Sequence, residues 1–361
     1  MTFLVIRSVL GVPGTCHGDD TCSHHETRQQ CIRNPARGKP TRISGRAIST
    51  LLINHLAPKR SDKQYINLNS VQRKNESTPM TSYILTLQCP DQPGIVRTVA
   101  NAIAAFGGNI IENDQFTDPP TALFCMRTRF ECDIESEAEV RRLIIESLDG
   151  LSAQLSVRDE GRPHRVLILA SQYDHCLADL LYRQRNGDIP MTVVAVVANH
   201  PDCAALVQQY DTAFLQRDIT PATKSAVEAE ILALIDTENV DVVILARYMQ
   251  ILSPTFCSAL PGRIINIHHS FLPGFKGARP YHQAYERGVK LVGATAHFVT
   301  ADLDEGPIID QDVVRVSHAR QPNDLVAIGR DVERTVLSRA VKLVCEDRVA
   351  LVGKRTVVFY Q

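Results

Sequence analysis

The sequence predicts an α/β protein built from two folded units, a small split βαββαβ module followed by a mostly parallel, doubly wound sheet domain. Three observations carry this expectation. Residues 81–157 alternate strand-like runs with two helical stretches in βαββαβ order. Beyond residue 165, short continuous apolar runs alternate with helical stretches, the pattern of parallel strands covered on both faces. A chain of 361 residues also exceeds the roughly 100–200 residues of one domain.

Taken in order, residues 1–80 come first. Arg28, Arg33, Arg37, Lys39, Arg42, Arg46, Lys59 and Arg60 occur there with few acids and no sustained apolar period, which predicts a disordered tail. Its first twelve residues are apolar and contain Arg7, the outline of a weak signal or transit peptide, but Asp19, Asp20 and Glu26 follow and no cleavage site stands out. A misassigned upstream start reads equally well, because Met80 directly precedes the first patterned strand.

From Thr81 the pattern sharpens. Tyr83 to Leu87 form a strand-like run, broken by Cys89-Pro90-Asp91-Gln92-Pro93-Gly94. Ile95, Val99, Ala102, Ile103 and Phe106 then recur at helical spacing until Gly107 and Gly108 end the helix. Strands are predicted over 109–116 and 123–130, a second helix through Val140, Leu143, Ile144 and Leu148, and a last strand over 151–157. This is the ferredoxin-like order. A polar hinge at 159–164 leads into the second unit, residues 165–361. There, apolar strands at 165–170, 192–197, 241–246 and 263–267 alternate with helices near 175–184, 202–210 and 225–235. Such Rossmann-like sheets place their sites beyond the carboxyl ends of the strands.

Composition narrows the function. With 44% hydrophobic and 22% charged residues, a net charge of −1 and no long apolar run, the chain predicts neither a membrane span nor nucleic-acid binding, and favours small-molecule work. The ten cysteines form no Cys-x-x-Cys pair and no zinc-type spacing, so they read as reduced thiols of a cytoplasmic protein, and no metal is expected.

The densest cluster of chemistry-bearing residues runs from Ile264 through Asn266, His268, His269 and Ser270 to Gly277. It starts on a buried strand and leaves at its carboxyl end. Asn266 and His268 are two apart and project from one face of an extended chain, so both can converge on one ligand. A further strand, 294–299, leads to a loop whose Asp302, Asp304 and Glu305 can each bring a carboxylate to the imidazole. His297 on that strand reads as structural or supporting. His269 either shapes a water site or caps the loop.

Two resemblances follow from these motifs. Asp91-Gln92-Pro93-Gly94-Ile95-Val96, followed by Gly107-Gly108-Asn109-Ile110, resembles the ACT domain, a module that often binds an amino acid. Gly94 lets backbone amides at a helix start approach a carboxylate, and a simple helix-start turn fits the same residues. The resemblance implies Asp91, Gly94 and Asn109 as regulatory positions, an amino-acid effector such as methionine or glycine, and a homo-oligomer. The stretch from Ile264, with the later loop, resembles the catalytic core of the formyltetrahydrofolate-dependent formyltransferase superfamily. Its Asn-x-His pair and later Asp match Asn266, His268 and Asp304. The His-His-Ser-Phe-Leu-Pro form joined to an ACT-like module resembles the deformylase branch of that superfamily.

That resemblance implies hydrolysis of N10-formyltetrahydrofolate to formate and tetrahydrofolate, with formate supplied for purine synthesis and one-carbon pools balanced. Asn266 would stabilise the oxyanion, His268 would manage protons, and Asp304 would orient the imidazole and the water. The folate is substrate, and no cofactor is implied. The segment Arg247-Tyr248-Met249-Gln250-Ile251-Leu252 matches the superfamily's pterin-facing loop, which names Arg247, Tyr248, Met249, Ile251 and Leu252 as substrate-binding, together with His269, Val299, Thr300 and Asp302. After the first strand of this unit, Ser171-Gln172-Tyr173-Asp174-His175-Cys176 contains no glycine-rich phosphate cradle. Tyr173 and Asp174 would crowd and repel an acceptor's phosphate, which leaves water as the nucleophile. Two other readings remain open here: a formyltransferase with a specific acceptor, and a catalytically silent amino-acid sensor.

Overall fold

The computed structural model describes residues 80–148, 150–274 and 280–360. The expectations for residues 1–79, and Phe275, Lys276 and Gly277 of the central motif, lie outside the described residues.

The first module consists of β1 (Thr81–Pro90), α1 (Ile95–Ala105), β2 (Asn109–Asp118), β3 (Leu123–Cys132), α2 (Glu137–Ser147) and β4 (Gln154–Asp159). Its sheet order is β2-β3-β1-β4, with every neighbouring pair antiparallel. Alternation along β1 turns Tyr83, Leu85 and Leu87 inward, where they meet Ile95, Val99 and Ile103 of α1 and Val140 and Ile144 of α2. Gly94 starts α1 at φ 96°, a backbone region that side chains disfavour.

Two boundaries differ from expectation. β1 continues through Cys89 and Pro90 because β3 extends opposite it to Leu123, and Pro90 sits at the strand's end, where a missing N–H costs little. The last strand starts at Gln154 rather than 151, because the Leu151 N–H is used in leaving α2, donating to the Leu148 carbonyl. The segment read as a polar hinge is a tied turn. Asp159 and His164 belong to flanking strands, and Arg158 donates to the carbonyls of Asp159 and Arg162 and to the Asp347 carboxylate.

The second unit contains β5 (His164–Ala170), α3 (His175–Asn186), β6 (Met191–Ala198), α4 (Ala204–Gln208), β7 (Phe214–Gln216), α5 (Lys224–Thr237), β8 (Val242–Ala246), α6 (Pro254–Ala259), β9 (Ile264–His268), α7 (Pro280–Glu286), β10 (Leu291–Phe298), β11 (Ile308–Arg315), α8 (Pro322–Cys345), β12 (Val349–Val352) and β13 (Arg355–Val358). The main sheet runs β11-β10-β9-β8-β5-β6-β7, parallel from β9 to β7 and antiparallel on both sides of β10. One face packs under α3 and α8 through Leu177, Leu180, Val336, Leu337 and Val341. The other packs under α5 and α6 through Val227, Ile231, Ile235 and Phe256. The chain leaves β5 for β6 on one side and reaches β8 on the other, so a crevice opens at the carboxyl ends of β5 and β8.

The 24-residue helix α8 does two jobs. Gly329 lies where a Cβ would stand 2.1 Å from the Tyr281 ring, so only glycine lets α7 and α8 approach this closely. Past its end, the Glu346 carbonyl accepts from Arg127 of β3, and buried Arg348 pairs with Glu112 of β2. Among the described residues, no helix is long and apolar enough to cross a membrane.

Candidate active site

At the carboxyl ends of the parallel strands lies a cavity of about 540 Å³, within the range of small-molecule sites. Its two walls come from opposite faces of the sheet. Leu245, Tyr248, Leu252, Cys257 and Val299 form an apolar wall continuous with the core under α5 and α6. Tyr173, His175, Arg330 and Glu333 form a polar wall from α3, α8 and the turn before α3.

Between them stands β9. Ile265 and Ile267 point into the core on one face, leaving Asn266 and His268 on the other, toward the cavity. Asn266 lies opposite His297 of β10 in register, and its Nδ2 is 3.3 Å from His297 Nε2. His297 Nδ1 is 2.9 Å from the Phe298 carbonyl and donates to it. That tautomer leaves Nε2 as the acceptor of one Asn266 N–H, and burial holds the imidazole below its usual pKa, hence neutral. His297 therefore orients the amide. Thr295 secures the turn that follows: its hydroxyl donates to the Ser270 carbonyl and accepts from the Leu272 N–H.

His268 is 5% exposed. Its Nδ1 lies 3.1 Å from Asp304 Oδ1, while its Nε2 is buried with no hydrogen-bond partner among the described residues. The hydrogen bond from His268 holds the Asp304 carboxyl below the usual carboxylate range, outweighing the opposing effect of burial. Asp304 adopts φ 56°, and Arg247 and Met249 adopt 62° and 60°. All three stand on loops at the cleft, where left-handed backbone persists only if surrounding structure enforces it.

All nine positions expected to contact substrate line the cavity: Arg247, Tyr248, Met249, Ile251 and Leu252 after β8, His269 after β9, and Val299, Thr300 and Asp302 after β10. Met249 and Ile251 are exposed, Tyr248 is buried. Burial lowers the His269 pKa to about 4. Of the carboxylates at 302–305, Asp304 is the one placed against His268. Asp174 is the N-cap position of α3 and is not among the lining residues, whereas Tyr173 is. Asp91, Gly94 and Asn109 are exposed on the first module, and the cavity found there is lined instead by Arg97, Thr98, Asn101, Ala102 and Ser147.

Glu333, Tyr281 and Arg330 of the charged wall escaped the sequence reading. Glu333, 1% exposed, accepts from the Tyr281 hydroxyl at 2.7 Å, lies 2.9 Å from His175 Nε2 and 3.4 Å from Arg247 Nε. Burial alone would raise its pKa, but His175, Arg247 and Tyr281 together bring it below the usual value. These residues come from α3, α7, α8 and the loop after β8, and no local pattern links them. Glu333 on the apolar face of α8 was the available signal, since a carboxylate among core positions needs a partner.

Comparison with known proteins bears on this geometry. The Formyl transferase family matches residues 164–341 and the ACT domain family residues 83–151. A formyltetrahydrofolate deformylase of Corynebacterium sp. (strain P-1) is 48% identical over 278 residues, 76% of this chain and 97% of that protein. The crystal structure of the formyltetrahydrofolate deformylase from Burkholderia mallei ATCC 23344 superposes with a TM-score of 0.74 at 47% identity, covering 78% of this chain and all of that one. Glycinamide ribonucleotide transformylase 1 from Symbiobacterium toebii superposes with a TM-score of 0.53 at 32% identity, covering 59% of this chain and 99% of that one.

Proposed function

This chain belongs to the formyltetrahydrofolate deformylase family, and from that premise we propose that its cleft hydrolyses N10-formyltetrahydrofolate to formate and tetrahydrofolate. The observation that carries the reading is the state of His268. One ring nitrogen is held by Asp304, and the other is buried with no hydrogen-bond partner among the described residues, on a ring that lines the cavity together with Asn266. A buried polar atom without a partner costs free energy, and a substrate that supplies one removes that cost.

The reaction follows from these groups. The apolar wall takes the flat bicyclic ring of the folate, with the 247–252 loop at its edge. A water attacks the formyl carbon and gives a proton to His268 Nε2. Asp304 holds the Nδ1–H and stabilises the imidazolium that forms. The second N–H of Asn266, the first being engaged by His297, donates to the developing oxyanion. His268 then passes its proton to N10, the C–N10 bond breaks, and formate and tetrahydrofolate leave. No metal or cofactor enters the scheme, so prior dialysis against EDTA leaves turnover unchanged.

The test is incubation with N10-formyltetrahydrofolate alone. Stoichiometric formate without any added amine supports hydrolysis. Folate consumption that requires an amine acceptor would replace it with transfer, and amino-acid binding without turnover would replace it with a sensor.

The ACT domain points to an amino-acid effector, and methionine and glycine are the two to titrate against turnover. Exposed Ile111 and Phe116 on the edge strand β2 support a homo-oligomer, measurable by light scattering. Among the described residues, seven buried cysteines are free thiols, which supports the cytoplasm as its compartment.

A further inference from the structure

The polar wall contains an arrangement that hydrolysis itself does not need. Arg247 stands at φ 62°, where glycine is unstrained and a long side chain is not. Its guanidinium carbon lies 5.5 Å from the centre of the Tyr173 ring, and that of Arg330 lies 5.4 Å from the same centre. Both distances are within cation–π reach, so one ring is gripped by two guanidinium groups. Glu333 balances the charge of Arg247 at 3.4 Å, yet Arg247 Nε and Nη1 are buried with no hydrogen-bond partner among the described residues. Two guanidinium groups at the crevice beyond the strand ends form a donor set suited to a phosphate. The Tyr173 ring lines the same cavity and takes up space beside both groups.

We propose that Tyr173, with the guanidinium groups of Arg247 and Arg330 both over its ring, is the residue that denies the cleft to a phosphate-bearing amine and so reserves the formyl group for water. The inference rests on the hydrolase reading and deepens it. With the ring gone, the two arginines would hold the phosphate of such an acceptor. Its amine nitrogen would then attack the formyl carbon, lose a proton to His268 and form a new C–N bond. The C–N10 bond would break and N10 would take the proton, giving tetrahydrofolate and a formylated amine in place of formate.

The experiment compares wild type, Tyr173→Ala and Tyr173→Phe with N10-formyltetrahydrofolate. Glycinamide ribonucleotide serves as the phosphate-bearing amine and glycinamide as its phosphate-free control. Formylated amine and formate are both quantified. The expected result is a rise of about ten-fold or more in the ratio of formylated ribonucleotide to formate for Tyr173→Ala. Glycinamide should give no rise, and Tyr173→Phe should keep the wild-type ratio because the ring, not the hydroxyl, fills the space. Inorganic phosphate should inhibit Tyr173→Ala and spare wild type. Tyr173→Ala that hydrolyses with an unchanged ratio and without phosphate inhibition overturns the proposal. So does phosphate competing with folate on wild type, a measurement that does not depend on how the variant folds. If wild type releases no formate from the folate alone, the hydrolase reading itself falls; if it does and only the ratio fails to move, the clamp alone falls.

Discussion

Two imidazole–carboxylate pairs line the same cleft and are built to opposite ends. In one, His268 meets Asp304 at 3.1 Å through Nδ1, and Nε2 is left buried with no partner among the described residues. In the other, His175 meets Glu333 at 2.9 Å, and the carboxylate also takes the Tyr281 hydroxyl and faces Arg247. The first pair has an unsatisfied atom to offer a substrate. The second has a carboxylate hydrogen-bonded to His175 and Tyr281 and ion-paired with Arg247, which ties three other elements together. An identical pair of functional groups thus becomes reactive or structural according to how many of its hydrogen-bonding positions the fold leaves open.

The contrast can be broken by substitution, and the largest effect belongs to the open pair. His268→Ala should lower formate release by up to ~10⁴-fold, with Asn266→Ala and Asp304→Asn each losing ~10²–10³, read from initial rates at saturating folate. Thermal melting of these variants should change little by comparison; a collapse of the fold would show that His268 serves structure as His175 does.

Glu333→Ala should do the reverse. It leaves Arg247 buried beside His175 and Tyr281 without their carboxylate, and urea denaturation should show a loss of about 3–5 kcal/mol. Glu333→Gln, which keeps an acceptor, should lose less. Turnover abolished with stability intact would move Glu333 into the chemistry.

His269 sits between the two pairs, its ring 5.2 Å from that of His268 and 6.3 Å from that of Tyr281. Its folded pKa of about 4 lies below the ordinary value of 6.5, so between those limits the unfolded chain binds more protons. Its contribution to stability is therefore complete above about pH 6.5 and drains away as pH falls toward 4, on the order of 3 kcal/mol in all. Denaturation across that window should be flatter for His269→Asn than for wild type. An equal slope would place the titration elsewhere. The smallest effect is that of Tyr281→Phe, about 1 kcal/mol from one hydrogen bond to Glu333.

The two pairs also differ in how visible they were. Asn266 and His268 are two residues apart on one strand, and Asp304 lies in an acidic loop directly after the neighbouring strand, so alternation and turn chemistry brought them together on paper. Tyr173 was visible too, because it follows a strand end where a glycine turn would be needed to cradle phosphate. Glu333, Tyr281 and Arg330 were not. They sit on α7 and α8, two helices that the pattern of residues 280–345 does not announce, since Gly329 and several charged residues interrupt the apolar period of α8. The short elements β7 and α6 and the β12–β13 hairpin were missed because they hold too few residues for a period to register, and β11 because its eight residues show no apolar alternation.

What the sequence determined by itself was local: which runs become strand or helix, that parallel strands are buried on both faces, and that an amide and an imidazole leave one strand end together. Periodicity and turn residues encode these, because backbone geometry repeats every two or 3.6 residues. Which carboxylate reaches which imidazole, and which guanidinium groups grip Tyr173, was decided by tertiary packing. Those contacts join residues as far as 158 positions apart, and no term linking them exists until the sheet and its helices have closed around the cleft.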